Sequence, residues 1–465
     1  MLTFVIKRII ICIAFQRRFA FLQVVFKNVT EIFSKKRGLS MSYEFLMTIA
    51  LILLSTKVLG LVTKRIKLPQ VVGALLAGLL LGPACFNIVT ETDLLSSLSE
   101  LGVIVLMFAA GLETDINELK KTGKASFLIA LLGVIVPLFG GLGIAAIFNE
   151  GDEALTSSVF LQNVFIGVIM TATSVSITVE TLKELGKLTT KAGNAILGAA
   201  IIDDVLGIVA LTIVTSFADP DVNIVSVLLK IVAFFVVAAI AGVLFHKVFT
   251  KWSGSASKDL RRHVIVSFVF CLILSYAAEK FFGVADITGA FVAGLAISHT
   301  PKSGYISHRF ETLSYMLLSP IFFASIGIKV VLPKMTGELI LFTVLLVVIA
   351  VLTKIVGCGA GAKICKFSNR EAIQIGVGMI SRGEVALIVA NKGAEVGLMS
   401  SVYFGPIVIM VVITTIITPV LLKVVFKNDD AAVADVAADD VINYNKGEQL
   451  EKEMQNLVKS KSKNK

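Results

Sequence analysis

Charged side chains are scarce in this 465-residue chain, because Asp, Glu, Lys and Arg together make up only 16% of it, whereas 56% is hydrophobic. Its mean hydropathy is +0.89. A soluble core needs far fewer apolar residues, and uninterrupted apolar stretches of about 20 residues are long enough to cross a bilayer as helices. The composition excludes an ordinary soluble protein and predicts an all-α polytopic membrane protein.

Cysteine motifs are also missing. The chain has five cysteines, an odd number, and they are scattered without any CxxC spacing. This pattern predicts neither a disulfide framework nor a structural zinc site, and no cofactor is expected. The five positions are Cys12, Cys85, Cys271, Cys358 and Cys365.

The net charge of +10 does not indicate a nucleic-acid partner. Most Lys and Arg residues fall in short loops between apolar segments, where they set the orientation of a protein in the lipid bilayer. Basic and acidic loops alternate along the chain. By the positive-inside rule, the first span starts outside, and the C-terminal tail from Lys427 onward is cytoplasmic.

Thirteen predicted spans satisfy this alternation of loop charge, whereas twelve or fourteen would break it. They lie at about 43–63, 69–88, 93–112, 125–148, 160–180, 192–217, 223–246, 263–281, 284–299, 310–330, 337–362, 371–392 and 401–426.

Both ends of the chain differ from the apolar region between them. Residues 1–40 carry eight Lys or Arg against a single acid, Glu31. They form either a basic amphipathic surface helix or, in the preferred interpretation, an extension upstream of a natural start at Met41. Residues 428–465 are polar and Lys-rich, which predicts a solvated cytoplasmic tail, partly helical or disordered.

An internal repeat is visible in two segments. PQVVGALLAGLLLGP at 69–83 resembles DITGAFVAGLAISHTP at 286–301, with matching glycines and alanines displaced by 216 residues. At the same displacement, residues 103–115 align with residues 319–331. Small-residue patterns also mark helix packing in general, which is the alternative explanation for each segment alone. Two segments with one displacement favour a repeat.

The repeat divides the chain into two six-helix halves, at 41–218 and 251–427, joined by a linker helix in 219–250. Because an odd number of crossings separates corresponding spans, the halves must have opposite orientations. Inverted repeats of this kind are typical of secondary transporters, whose binding sites lie where corresponding spans are interrupted near the bilayer midplane.

Two adjacent acids, Asp203 and Asp204, lie inside the apolar run AILGAAIIDDVLGIVALTIV. Each carboxylate at mid-membrane costs about 2.5–3.5 kcal/mol, so the pair predicts a function in binding ions or protons. Neighbouring helix residues point about 100° apart, so the two cannot share one cavity. One can pair with Lys354, which is also embedded in apolar sequence, while the other faces water.

A carboxylate that holds either a proton or a cation, and never both, couples the two flows by competition. This is the minimum chemistry of an antiporter. The enzyme alternative, an intramembrane aspartyl protease, needs two carboxylates that face each other from separate elements, and adjacent residues on one helix cannot do so.

The fifth and twelfth predicted spans, GVIMTATSVSITVETL and GVGMISRGEVALIVA, are poor continuous helices. Freed backbone carbonyls, together with the hydroxyls of Thr173 or Ser174, would supply hard oxygen ligands for a small cation. In the alternative, these hydroxyls bond to their own helix and Arg382 pairs with Glu384 as a structural contact.

In this order and spacing, TATSVSITVETL, AIIDDVLGIVAL, the embedded Lys354 and SRGEVALIVA resemble the bacterial monovalent cation:proton antiporter-2 family, in particular its thirteen-span sodium/proton members. The resemblance runs from about 43 to 426. It implies a transporter of the bacterial inner membrane rather than an enzyme, and a homodimer. It also implies a dimerisation domain and a six-helix core domain, in which unwound helices cross beside the aspartates and which moves like an elevator.

The resemblance also implies roles for individual residues. Asp204 would bind the transported cation and the proton, with Thr173 as a further cation ligand and Ser174 beside it. Asp203 would pair with Lys354. Arg382 and Glu384 would form the charged pair of the second unwound span. The transported cation is expected to be Na⁺, with Li⁺ or K⁺ left open.

Two transport alternatives remain. A sodium-coupled symporter of an organic anion shares this architecture and would add a larger polar pocket, whereas a channel would need a continuous pore. The histidines all lie near predicted cytoplasmic loops, where they could sense pH, but they are expected to be simply solvated. They are His246, His263, His299 and His308.

Overall fold

The computed structural model describes residues 44–65, 68–148, 157–217, 223–254, 260–330, 336–395 and 397–427. All regular structure in these ranges is helical, which confirms the predicted all-α class. The predictions for residues 1–40 and 428–465 lie outside the described residues.

The described residues form sixteen α-helices, with a π-helical turn at Ser314–Leu318 and a 3-10 turn at Ser401–Tyr403. The α-helices are α1 Glu44–Arg65, α2 Gln70–Leu81, α3 Asp93–Glu113, α4 Ile116–Phe148, α5 Ser157–Thr171, α6 Val175–Glu184, α7 Lys191–Ser216, α8 Ile224–Gly254, α9 Leu260–Phe282, α10 Asp286–Ser298, α11 Ser303–Leu313, α12 Ser319–Ile328, α13 Gly337–Ile364, α14 Asn369–Gly378, α15 Glu384–Glu395 and α16 Phe404–Phe426.

Ten helical stretches of the described chain are long and apolar enough to cross a membrane, and they identify a multi-pass helical membrane protein. The other three predicted spans overlap helices that are too short to meet this criterion, namely the apolar helices α2 and α10 and the interrupted pair α14 and α15, of which α15 is apolar. Helix α2 ends at Leu81 rather than near 88, because Gly82 is extended and Pro83 follows it.

The helices pack as two groups. Helices α4–α7 and α13–α16 pack on one another and form the crossing group, so named because it contains both interrupted helix pairs. Helices α1–α3 and α9–α12 form the flanking group. Helix α8 contacts α7 on one side and α9 and α10 on the other, so it links the two groups.

The flanking group is held together where helices approach so closely that only glycine leaves room. A Cβ added at any of four glycines would collide with a backbone carbonyl of the facing helix. The contacts occur in reciprocal pairs, in which both residues of one contact are displaced by 216 positions in the other. They are Gly78 with Ala324, Gly294 with Phe108, Gly111 with Phe291, and Gly327 with Leu75.

Candidate functional site

Two helix interruptions meet inside the crossing group. The first, at residues 172–174, separates α5 from α6, and the second, at residues 379–383, separates α14 from α15. The Ser174 N–H donates to the Ser381 carbonyl at 2.7 Å, and the Ser381 hydroxyl donates to the Ser174 carbonyl at 2.9 Å. Backbone groups that the breaks set free are therefore bonded across the crossing, as burial in a membrane requires.

Side chains reinforce this crossing. The Thr178 hydroxyl donates to the Gly378 carbonyl at 2.7 Å and lies 2.8 Å from the Ser381 hydroxyl. Gly383 lies close to the first break, because an added Cβ would lie 2.7 Å from the Ser174 hydroxyl oxygen. Hydroxyl residues in one span and glycine in the other thus allow the two breaks to touch.

Arg382 is completely buried and lies where two helix ends converge. Its guanidinium donates at 2.8 Å to the carbonyl of Met170, in the last turn of α5, and at 2.9 Å to that of Ile380, just beyond α14. A third bond reaches Ala350 on α13 at 3.1 Å. The C-terminal end of a helix carries partial negative charge, so a cation in this position offsets two such ends at once.

The buried ion pair of the site joins α7 to α13. The Lys354 ammonium is 3.1 Å from each carboxylate oxygen of Asp203, and both side chains are almost completely shielded from solvent. Gly133 of α4 packs closely beside this pair, because an added Cβ would lie 2.6 Å from the Cys358 sulfur and 3.7 Å from the Asp203 carboxylate. A fully buried charge pair with this short separation is tolerated because each partner offsets the cost of desolvating the other.

Asp204 points elsewhere. Asp203 is buried, whereas the adjacent Asp204 is only partly buried, as the 100° step between neighbouring helix residues requires. The structure thus places the two carboxylates in different surroundings.

The other residues predicted for the site make separate contacts. The buried Thr173 hydroxyl interacts with the Asp203 carboxylate but makes no hydrogen bond of ordinary geometry with any described residue. The Ser174 hydroxyl is 3.3 Å from that of Ser176. Arg382 directs its donors to carbonyls, and the side chain of Glu384, its expected partner, lies outside the described residues.

The roles of three hydroxyls at the crossing were not predicted from the sequence. Thr178 and Ser381 form its side-chain bonds, and the Thr415 hydroxyl of α16 donates to the Arg382 carbonyl. An uncharged hydroxyl costs little in an apolar run, so the sequence alone did not indicate which hydroxyls bond across the crossing. The solvated state expected for the histidines is wrong for His263, which is fully buried against the Trp252 ring, with 4.2 Å between ring centroids.

Crossed helix interruptions and a buried carboxylate–lysine pair inside a multi-pass helical protein define a secondary transporter rather than an enzyme. Comparison with known proteins gives the family. Residues 49–428 match the model of the transmembrane sodium/hydrogen exchanger family. The chain belongs to this family.

The relatives include bacterial antiporters. The chain is 41% identical over 396 residues to the Na⁺/H⁺-K⁺ antiporter GerN of Bacillus cereus, covering 84% of this chain and 99% of GerN. It is 37% identical over 391 residues to a Na⁺/H⁺ antiporter of Enterococcus hirae, covering 82% and 97%. The solved sodium proton antiporter MjNhaP1 of Methanocaldococcus jannaschii shares the fold, with a TM-score of 0.60 at 16% identity and coverage of 82% and 96%.

Proposed function

We propose that this protein exchanges protons for a monovalent cation, Na⁺ in the first instance and Li⁺ or K⁺ as further candidates. The observation that carries the proposal is the pair of adjacent carboxylates at the helix crossing, of which Asp203 is paired with Lys354 and Asp204 is only partly buried. Membership of the sodium/hydrogen exchanger family supports the same chemistry.

In the proposed mechanism, Asp204 binds either a proton or the cation, and the Thr173 hydroxyl supplies a further oxygen ligand. Because the proton and the cation compete for one carboxylate, each crossing of the site carries one or the other. The site moves across the membrane only when it is occupied, so movement of the cation in one direction is coupled to movement of the proton in the other. Asp203 stays with Lys354, and Arg382 holds the two helix breaks in register. Alternating access follows if the crossing group moves against the flanking group.

The proposal includes thirteen spans arranged as two inverted six-helix repeats joined by α8. The reciprocal glycine contacts support it, since Gly78 with Ala324 and Gly294 with Phe108 are the same contact displaced by 216 residues. Two equal halves related by a two-fold axis would produce such reciprocity. We extend the proposal to a homodimer in the inner membrane, with an external N-terminus and a cytoplasmic C-terminus.

The test is exchange in proteoliposomes loaded with a pH-sensitive dye. After a pH gradient is imposed, Na⁺, Li⁺ and K⁺ are added in turn to the parent protein, to Asp204→Asn and to a control, Asp93→Asn. Asp93 is an exposed residue at the start of α3, outside the crossing group. We expect cation-driven proton movement in the parent and the control, and none in Asp204→Asn.

Two results would contradict the proposal. The first is folded parent protein that moves no protons on addition of any of the three cations. The second is an Asp204→Asn variant that exchanges at the parent rate, which would exclude Asp204 as the shared site.

A further inference from the structure

Polar contacts between the crossing group and the flanking group converge on the end of α6. This helix begins at the helix crossing and ends with Lys183 and Glu184. Both side chains reach out of the crossing group and bond to flanking-group helices. They connect a helix that leads to the crossing with the flanking group.

Glu184 acts as the N-terminal cap of α2. Pro69 stands at the N-cap position of α2 and makes no side-chain capping bond. Both Glu184 carboxylate oxygens accept from the Gln70 N–H, at 2.6 and 2.7 Å. The first N–H groups of a helix lack partners within the helix, and its N-terminus favours negative charge. The Glu184 carboxylate, which belongs to the other helix group, therefore accepts from an N–H group for which α2 itself provides no capping side chain.

Lys183 makes the second contact. Its ammonium lies 2.7 Å from Glu113 at the end of α3 and 4.0 Å from Glu311 of α11. The three side chains are partly exposed, so each ion pair alone is weak. Together with Glu184, however, they fasten two consecutive residues of α6 to three separate flanking helices.

A cavity of about 400 Å³ opens beside these contacts, between the two helix groups. Lys183, Glu184 and Glu311 line it, and so do Glu180 of α6 and Lys57 of α1. The contacts therefore form in an arrangement in which a cavity is open between the groups, next to the helix that leads to the crossing.

We propose that Lys183 and Glu184 are positioning residues that form a latch between the groups. The latch stabilises the state in which this cavity is open, and it must break each time the site turns to the other side of the membrane. This inference rests on the proposed exchange function and adds to it the contacts that set the balance between the two states. By the predicted orientation, the latched state is the one open to the cytoplasm.

The first test cross-links the latch. Cysteines replace Lys183 and Glu113, and a short bifunctional thiosulfonate reagent joins them in the full-length protein, with the parent and its own cysteines treated identically. The control pair replaces Lys191 and Glu371, which form a 3.5 Å ion pair within the crossing group. Cross-linking the latch pair should arrest exchange until a reductant is added, whereas the control pair should exchange throughout.

The second test uses single variants and does not depend on cross-linking. Lys183→Met removes the ion pairs with Glu113 and Glu311, and Glu184→Ala removes the acceptor of the Gln70 N–H. Lys191→Met removes the control pair. The first two should raise the KM for cation on the cavity side about two- to tenfold, as the loss of one such bond predicts. They should leave the KM on the opposite side unchanged or lower it, a split that a merely structural defect would not produce.

The outcomes separate this inference from the proposed function. Parent protein that exchanges cations while the cross-linked latch pair exchanges at the same rate would overturn the latch and leave the exchange function intact. Equal KM changes on both sides would also overturn it. Parent protein without exchange would contradict the proposed function itself.

Discussion

The two helix groups solve the problem of association inside a membrane in different ways. The crossing group buries charge and hydroxyls, and its elements are joined by the Asp203–Lys354 pair, by Arg382 on carbonyls and by Ser381 with Ser174. The flanking group brings backbones together at glycines. Lipid tails are as apolar as leucine, so membrane helices associate by close packing or by polar bonds. Both groups pack closely at glycines, as Gly167 does against the Leu138 carbonyl in the crossing group, but among the described helices only the crossing group adds fully buried Asp, Lys and Arg side chains.

The difference indicates a division of labour. Close backbone contacts admit one arrangement and resist displacement, which suits a fixed support. Buried charges are costly and are retained where they bind something, which suits the group proposed to carry the ion. Variants that leave a buried charge without its partner should therefore act differently from variants that add a methyl group at a close backbone contact.

The largest effect is expected at the buried ion pair. Lys354→Met leaves the Asp203 carboxylate buried without its partner and should destabilise the protein by about 3–5 kcal/mol. The measurement is the melting temperature of purified protein in detergent, followed by size-exclusion chromatography. A melting temperature equal to that of the parent would show that the pair does not hold the crossing group together.

The control for this variant is the double change Asp203→Asn with Lys354→Met. Replacing both charges removes the stranded carboxylate, so the double variant should recover most of the lost stability. Recovery would assign the loss to uncompensated charge. A double variant as unstable as Lys354→Met would instead point to lost packing of the lysine stem.

The charged part of this comparison is visible in the sequence. Asp203, Asp204 and Lys354 stand out because a charge in a long apolar run has an obvious energetic cost. The positions of the helix breaks were also predictable, since runs of hydroxyl and glycine residues weaken both spans. Each of these signals is local to a few residues of the chain.

The partners of Arg382 were not predictable, because its acceptors are main-chain carbonyls of Met170, Ala350 and Ile380, and a backbone carbonyl has no sequence signature. The contact between Glu184 and the N-terminus of α2 was hidden for the same reason. Which backbones approach each other is decided by tertiary packing, and the sequence reveals it only where glycine is required.

A smaller effect is expected at the glycines of the flanking group. Gly78→Ala and Gly294→Ala each place a methyl group against the carbonyl of a facing helix, so each should cost about 1–3 kcal/mol. Because the two contacts are reciprocal, the losses in melting temperature should be similar. The matched control is Gly143→Ala on α4, where an added Cβ meets no atom within 4 Å, and no loss is expected.

Unequal losses at Gly78 and Gly294 would break the symmetry inferred for the two halves. A loss at Gly143 as large as theirs would show that alanine is tolerated poorly throughout these helices. The losses at Gly78 and Gly294 could then not be assigned to the close backbone contacts.

The smallest effect separates a hydroxyl that bonds across the crossing from one that bonds to its own helix. Thr178 donates to the Gly378 carbonyl of another helix, whereas Thr212 donates to the Ile208 carbonyl one turn back on α7, in both cases at 2.7 Å.

Valine keeps the shape of threonine and removes the hydroxyl. Thr178→Val should cost about 1 kcal/mol, because the carbonyl at the end of α14 loses a partner in a buried region. Thr212→Val should cost less, because Ile208 keeps its place in the backbone ladder of α7. Equal melting temperatures for the two variants would mean that the Thr178 hydroxyl does not stabilise the crossing.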